Sequence, residues 1–192
     1  MNRPVLHVVM GSTRPGRLCL PIADWFQQQA EADGRFTVEL IDLVDVALPF
    51  LDEPEPAFFG RYAHSHTKEW SATVARADAF VFITPEYNHG PSAALKNAID
   101  FLHAEWQYKP LGFVSYGGVA AGSRAVQALR QFTLPLRMVP LDQSVAIPLV
   151  GQFFDEAGHF HSTDILDTAA SDMLAELHRV SGALRPLREQ RS

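Results

Sequence analysis

Residues 79–84 read A-F-V-F-I-T, a nearly unbroken apolar run closed by Pro85, and residues 5–10 read V-L-H-V-V-M. A strand with one wet face alternates apolar and polar residues; a continuous run of this length is covered on both faces, as in a parallel sheet beneath helices. It is also far short of the roughly 20 apolar residues that a membrane-spanning helix needs. Further runs lie at Phe36–Asp42, Leu111–Tyr116 and Arg137–Leu141. Between and after them, helical patterns occupy Leu18–Asp33, Thr67–Arg76, Ser92–His103, Gly122–Phe132 and Thr163–Leu184. The last carries Leu166, Ala170, Met173, Leu177, Val180 and Leu184 at three- and four-residue steps, with Ser162 or Thr163 as its N-cap. Strands alternating with helices in this way predict an α/β fold, a parallel sheet with helices on both faces.

The 192 residues suffice for one domain, expected to span 1–192. A formal charge of -6 and the lack of a basic stripe argue against nucleic-acid binding. Cys19 is the single cysteine, which excludes an intramolecular disulfide and points to a cytoplasmic protein. The first apolar run has no small-residue cleavage site after it and reads as a strand of the fold. Two stretches lack periodicity. Pro49–His66 is expected to be an irregular connection, and Asp142–His161 a crossing loop plus a small hairpin turning at Ala157–Gly158. Long loops of this kind suit lids or interfaces.

Chemistry concentrates where strands end. G-S-T-R-P-G-R-L, residues 11–18, follows the first strand and opens a helix, so main-chain N–H groups and the helix dipole favour an anion there. Gly11 and Gly16 have P-loop spacing, but Arg17 and Leu18 replace the lysine and the hydroxyl that handle a magnesium nucleotide. The dinucleotide fingerprint fails too, since four residues separate the two glycines. Ser12, Thr13, Arg14 and Arg17 suit a terminal phosphate monoester that is bound and not cleaved. The alternative is that both arginines are solvated and the glycines merely turn the chain. Asp42, at the end of the second strand, could meet a ribose or simply be a polar terminus.

The third strand ends in T-P-E-Y-N-H-G-P-S, residues 84–92, and the fourth in S-Y-G-G-V-A-A-G-S-R, residues 115–124. Tyr87 and Asn88 offer a ring and an amide, while Gly117 and Gly118 let a flat ligand approach the backbone. Tyr87 and Tyr116 could equally be core aromatics. Ligands of open α/β sheets bind outside the carboxyl ends of the strands, at the switch in strand order.

G-S-T-R at 11–14, P-E-Y-N at 85–88, L-K-N-A-I-D at 95–100 and S-Y-G-G at 115–118 together resemble the NADPH-dependent FMN reductase family, which includes NAD(P)H:quinone reductases and azo- and chromate-reducing enzymes. The likeness runs from the first strand through the fourth long helix. It implies a flavodoxin-like three-layer fold with a five-stranded parallel sheet of order 2-1-3-4-5, FMN as cofactor and NADPH or NADH as reductant. It further implies that Ser12 and Arg14, with Gly16 and Arg17, hold the FMN phosphate. Pro85, Glu86, Tyr87 and Asn88 would line the ring and ribityl chain, and Ser115, Tyr116, Gly117 and Gly118 the pyrimidine end. Many members carry serine and asparagine at or near positions 17 and 19; here Arg17 would replace the hydroxyl, and Cys19 would pack inside.

Flavin chemistry needs no acid–base pair or nucleophile, because the cofactor carries the reaction and the protein positions rings. No catalytic side chain is therefore assigned; His89, just after the ring loop, is a weak candidate for protonating a reduced quinone or a plain loop residue. The His64/His66 and His159/His161 pairs have no complete ligand set, and no metal is expected. The acceptor would be a small molecule such as a quinone or free flavin. A flavodoxin-type electron carrier without a nicotinamide site is the alternative, disfavoured by Arg14, Arg17, Arg124 and Arg130 around the site. Leu95, Ala98, Ile99, Phe101 and Leu102, followed by Trp106 and Tyr108, spread apolar character around one helix. That predicts either a homodimer or homotetramer across this helix, as the resemblance also implies, or a cover from loop 49–66.

Overall fold

The computed structural model describes residues 3–190. The two most apolar runs form its centre: β1 (Val5–Met10) pairs in parallel with β3 (Ala79–Pro85), Leu6 opposite Ala79 and Met10 opposite Ile83. β2 (Thr37–Asp42) flanks β1, and β4 (Pro110–Tyr116) followed by β5 (Val139–Ile147) extends the other side. The sheet is all parallel, with order β2-β1-β3-β4-β5. Every residue of β3 and β4 is buried, which is why these strands carry no polar alternation.

The helices are α1 (Cys19–Asp33), a single turn α2 (Leu43–Val46), α3 (Ser65–Arg76), α4 (Ala93–Asp100), α5 (Ser123–Thr133) and α6 (Asp164–Glu189). Leu6, Val8, Val81 and Val114 face α1 and α6, where Ile22, Phe26, Met173 and Leu177 meet them. Val9, Phe80, Phe82 and Phe113 face the other layer, packed with Trp70, Leu95, Trp106 and Leu129. Gly34 ends α1 in the left-handed region at φ 74°, where a Cβ would be strained. Lys109 serves α3 from outside: its buried amine donates to the last-turn carbonyls of Val74 (2.7 Å) and Ala75 (3.2 Å). No helix of the described residues is long and apolar enough to cross a membrane.

Three expectations need correction. β5 runs to Ile147, well past Leu141, because a register shift against β4 between Leu111 and Phe113 absorbs the polar Asp142 and Gln143 that read as a loop. α4 stops at Asp100, and the chain then makes a 3₁₀ turn at Ala104–Trp106. Finally, the apolar residues around α4 leave no bare face. Leu95, Ala98, Ile99, Phe101, Leu102 and Trp106 are all buried within one chain. Their cover comes chiefly from Trp70 of α3, whose Nε1 donates to Ala98 O at 2.9 Å, and from Trp106, tilted against Phe80 and edge-on to Phe82. Three exposed aromatics lie instead on the 49–66 segment, at Phe50, Phe58 and Phe59. The small hairpin is as expected, with Phe154 and Phe160 bridged and Gly158 in the left-handed region.

Candidate functional site: three loops at the carboxyl edge

Parallel strands end on one side of the sheet, so the loops after β1, β3 and β4 share one edge. The first is pulled flush against β3, with Gly11 N donating to Ile83 O at 2.9 Å. A Cβ at Gly11 would sit 3.0 Å from both that oxygen and the Leu95 side chain, so glycine is required by close approach. Ser92 caps α4 by accepting from Leu95 N at 3.2 Å and donates to Gly11 O, which fastens the helix to the same loop.

Within this loop Ser12 is fully buried, its Oγ 2.8 Å from the Tyr87 hydroxyl. The Tyr116 hydroxyl meets the same Ser12 side chain and that of Cys19, whose thiol also donates to Ser12 O at 3.6 Å. Burial pushes both the Tyr116 phenol and the Cys19 thiol above their ordinary pKa, so both are neutral at physiological pH. Arg17 turns inward to an ion pair with Asp42, both side chains only about a tenth exposed, and its Nε is buried with no partner among the described residues. The other Asp42 oxygen accepts from Val44 N at 2.9 Å and caps α2. Arg14 is exposed and makes no ion pair or side-chain hydrogen bond among the described residues. The main-chain N–H groups of Ser12, Thr13, Arg14 and Gly16 likewise find no acceptor among them.

The loop after β3 is a two-residue hairpin. Tyr87 N and Gly90 N each donate to the other's carbonyl, at 2.9 and 3.0 Å. Asn88 (φ 49°) and His89 (φ 67°) occupy the central positions, where the turn demands positive φ at both. Their side chains are exposed at the tip, and Tyr87 stands beside them 39% exposed. Glu86 points elsewhere, into a salt bridge with Arg124.

At the end of β4, Ser115 and Tyr116 are buried, and the chain then turns at Gly117 and Gly118. Both glycines are braced by the end of β5: Gly117 N donates to Ile147 O, Gly117 O accepts from Val150 N, and Gly118 O accepts from Leu149 N. A Cβ at Gly118 would meet nothing within 4 Å, so the backbone there faces open space. The structure thus brings Ser12, Tyr87 and Tyr116 into one contact group, with Arg17 and Asp42 beside it. The roles of Arg124 and Ser92 were not legible in sequence, because each acts on a partner 38 or 81 residues away.

A cavity of about 590 Å³ borders the first loop, lined by Thr13, Val44, Leu48, Phe50, Ala94 and Asn97 among others. A larger one, about 1210 Å³, lies at the opposite edge around Lys109 and Arg188 and contains none of the loop residues.

Residues 4–152 match the family described as NADPH-dependent FMN reductase. An NAD(P)H-dependent FMN reductase of Schizosaccharomyces pombe is 42% identical over 149 residues, 76% of this chain and 74% of the relative. The chain belongs to the NADPH-dependent FMN reductase family. Membership in this family makes it an oxidoreductase working with NAD(P)H and FMN. A probable NADPH:quinone oxidoreductase of Oryza sativa subsp. japonica is 35% identical over 47% of this chain and 48% of that one. Among solved structures, the flavoenzyme FerB, an NAD(P)H:(acceptor) oxidoreductase from Paracoccus denitrificans, superposes with a TM-score of 0.74. At 20% identity, covering 94% of this chain and 98% of that one, it bears on the fold alone.

The reductase's first loop fits a phosphate-bearing cofactor on its own chemistry. Its free donors are four main-chain N–H groups without a partner, the exposed Arg14 and the orphaned Nε of Arg17. Such a donor set suits an anion.

Proposed function

We propose that this chain is an FMN-dependent NAD(P)H oxidoreductase that passes reducing equivalents to quinones, free flavin or similar small acceptors. The observation carrying this is the meeting of three separate loops at Ser12, Tyr87 and Tyr116, the first of which holds several main-chain N–H donors without a partner. Bound FMN would supply the chemistry, accepting a hydride from nicotinamide and delivering electrons to the acceptor.

The chain's own residues bind and orient. Ser12, Arg14 and Arg17, with the amides up to Gly16, hold the phosphate, which fixes how far the ring reaches along the edge. Pro85, Tyr87 and Asn88 flank the ring and ribityl chain, with Glu86 contributing through its main chain. Ser115, Tyr116, Gly117 and Gly118 offer main-chain groups to the pyrimidine end, the glycines allowing contact without a side chain between. Tyr116 stays protonated and donates; it does not exchange protons with substrate. No side chain is assigned a catalytic role; His89, exposed on the hairpin tip, is a weak candidate for meeting a reduced acceptor.

A second copy of the chain is proposed to cover Phe50, Leu51, Phe58 and Phe59, an exposed apolar strip beside the cavity at Thr13. A homodimer or homotetramer built on it would border the flavin site, and light scattering of the purified protein reads the mass. The one buried cysteine accords with a cytoplasmic setting.

Anaerobic mixing tests the activity. NADPH is expected to bleach the flavin absorbance within seconds, and benzoquinone to restore it. A bound flavin that NADPH leaves oxidised for minutes would make the protein a carrier.

A further inference from the structure

α5 begins at Ser123 behind Gly122, which has no side chain to cap it. Nor could position 122 take one: φ is 78°, and a Cβ would lie 3.0 Å from Ser115 Cβ and from Tyr116 N. The missing cap arrives from a different loop. Glu86 Oε2 accepts from the Arg124 amide at 3.1 Å, in the first turn, while Oε1 accepts from Arg124 Nε at 2.6 Å and pairs with Nη2. The Glu86 side chain is 8% exposed, and these contacts hold its carboxyl below the ordinary glutamate range. Glu86 immediately precedes the Tyr87–Gly90 hairpin, and Arg124 follows the turn at 117–122.

We infer that Glu86 and Arg124 form a charge-neutral clasp that sets the spacing of the two ring-side loops and keeps either charge from acting alone on the flavin. Both are positioning residues. The proposal rests on the flavin reading above and adds what neither the hairpin nor the glycine turn could do unaided. A helix N-terminus carries partial positive charge, so a carboxylate there is stabilised in place and needs no ligand to complete it. With the pair intact, the ring meets no net side-chain charge from this side. With one partner gone, the survivor acts on the reduced ring, which carries more negative charge than the oxidised one.

The test uses Glu86→Gln, Arg124→Gln and the double variant, each loaded with FMN, and reads the midpoint potential. Glu86→Gln leaves a lone cation and is expected to raise the potential. Arg124→Gln leaves a lone carboxylate and is expected to lower it, and the double variant should return towards the parent. Shifts of the same sign in both single variants, or no shift in either, would overturn the clasp as an electrostatic device. A second readout needs no flavin: in the apoprotein, Glu86→Ala should speed hydrogen exchange at the Arg124 amide at least tenfold with the other strands unaffected. Unchanged exchange there would overturn the capping half. Parent protein that takes up no FMN would instead overturn the flavin reading, and the exchange result would still judge the cap.

Discussion

The Ser12 hydroxyl lies 2.8 Å from that of Tyr87, joining the loop after β1 to the hairpin after β3 across 75 residues of sequence. Ser12 is fully buried, so this bond is not exchanged for water at no cost. Tyr87→Phe is expected to cost about 1 kcal/mol of stability, the usual net worth of one such bond. It should also weaken FMN severalfold by loosening the phosphate loop. Thermal unfolding and fluorescence titration measure the two; a double cycle with Ser12→Ala should show that the losses do not add.

Arg17 and Asp42 form the most enclosed ion pair of the edge. Removing one partner strands the other, so Arg17→Met should destabilise the fold by about 2 kcal/mol, below the range for fully buried pairs. FMN affinity should fall with it, and riboflavin affinity much less. Equal losses for both ligands would mean that Arg17 serves only Asp42.

Gly11→Ala probes close approach. The added carbon would press on Ile83 O at 3.0 Å, the acceptor of the loop's own hydrogen bond. Overpacking of this kind costs about 1–3 kcal/mol. FMN binding should drop more than tenfold, as read by titration of the apoprotein.

Acid should act through His7. This residue of β1 is 1% exposed, and its Nε2 lies 3.1 Å from Glu39 Oε2. Burial lowers its pKa from 6.5 to about 4, outweighing the opposing pull of Glu39. The unfolded chain therefore takes up a proton below pH 6.5 that the folded chain refuses until about 4. Stability from this group is complete above pH 6.5 and declines as pH falls towards 4, by at most about 3 kcal/mol. His7→Leu should flatten that part of the curve; denaturant unfolding at pH 7, 5.5 and 4.5 reads it.

The central strands were open to sequence reading because burial on both faces leaves an unbroken apolar run, and both runs found that way, at 5–10 and 79–84, are neighbours in the sheet; the strand order came from the family resemblance. The edge strand β5 was harder. There the polar Asp142 and Gln143 sit in a register shift, a feature of pairing that composition cannot express. The loops of the candidate site could be picked out from their glycines and from where strands end. Their internal wiring could not. The family resemblance puts Glu86 at the ring; its carboxylate is held by Arg124, since Gly122 cannot cap its own helix. The apolar circumference of α4 suggested a partner chain, whereas Trp70 and Trp106 cover it from within; the identity of a covering residue depends on tertiary packing, not on helical period.

Everything above depends on one anionic, flat cofactor held by its tail at residues 11–17. Titrating the apoprotein with FMN and with riboflavin measures that claim directly, because the two differ only in the phosphate. Two charge-assisted contacts of roughly 1.5–3 kcal/mol each predict one FMN per chain, bound at least about a hundredfold more tightly than riboflavin. Equal affinity for the two, or no uptake of either, would contradict it.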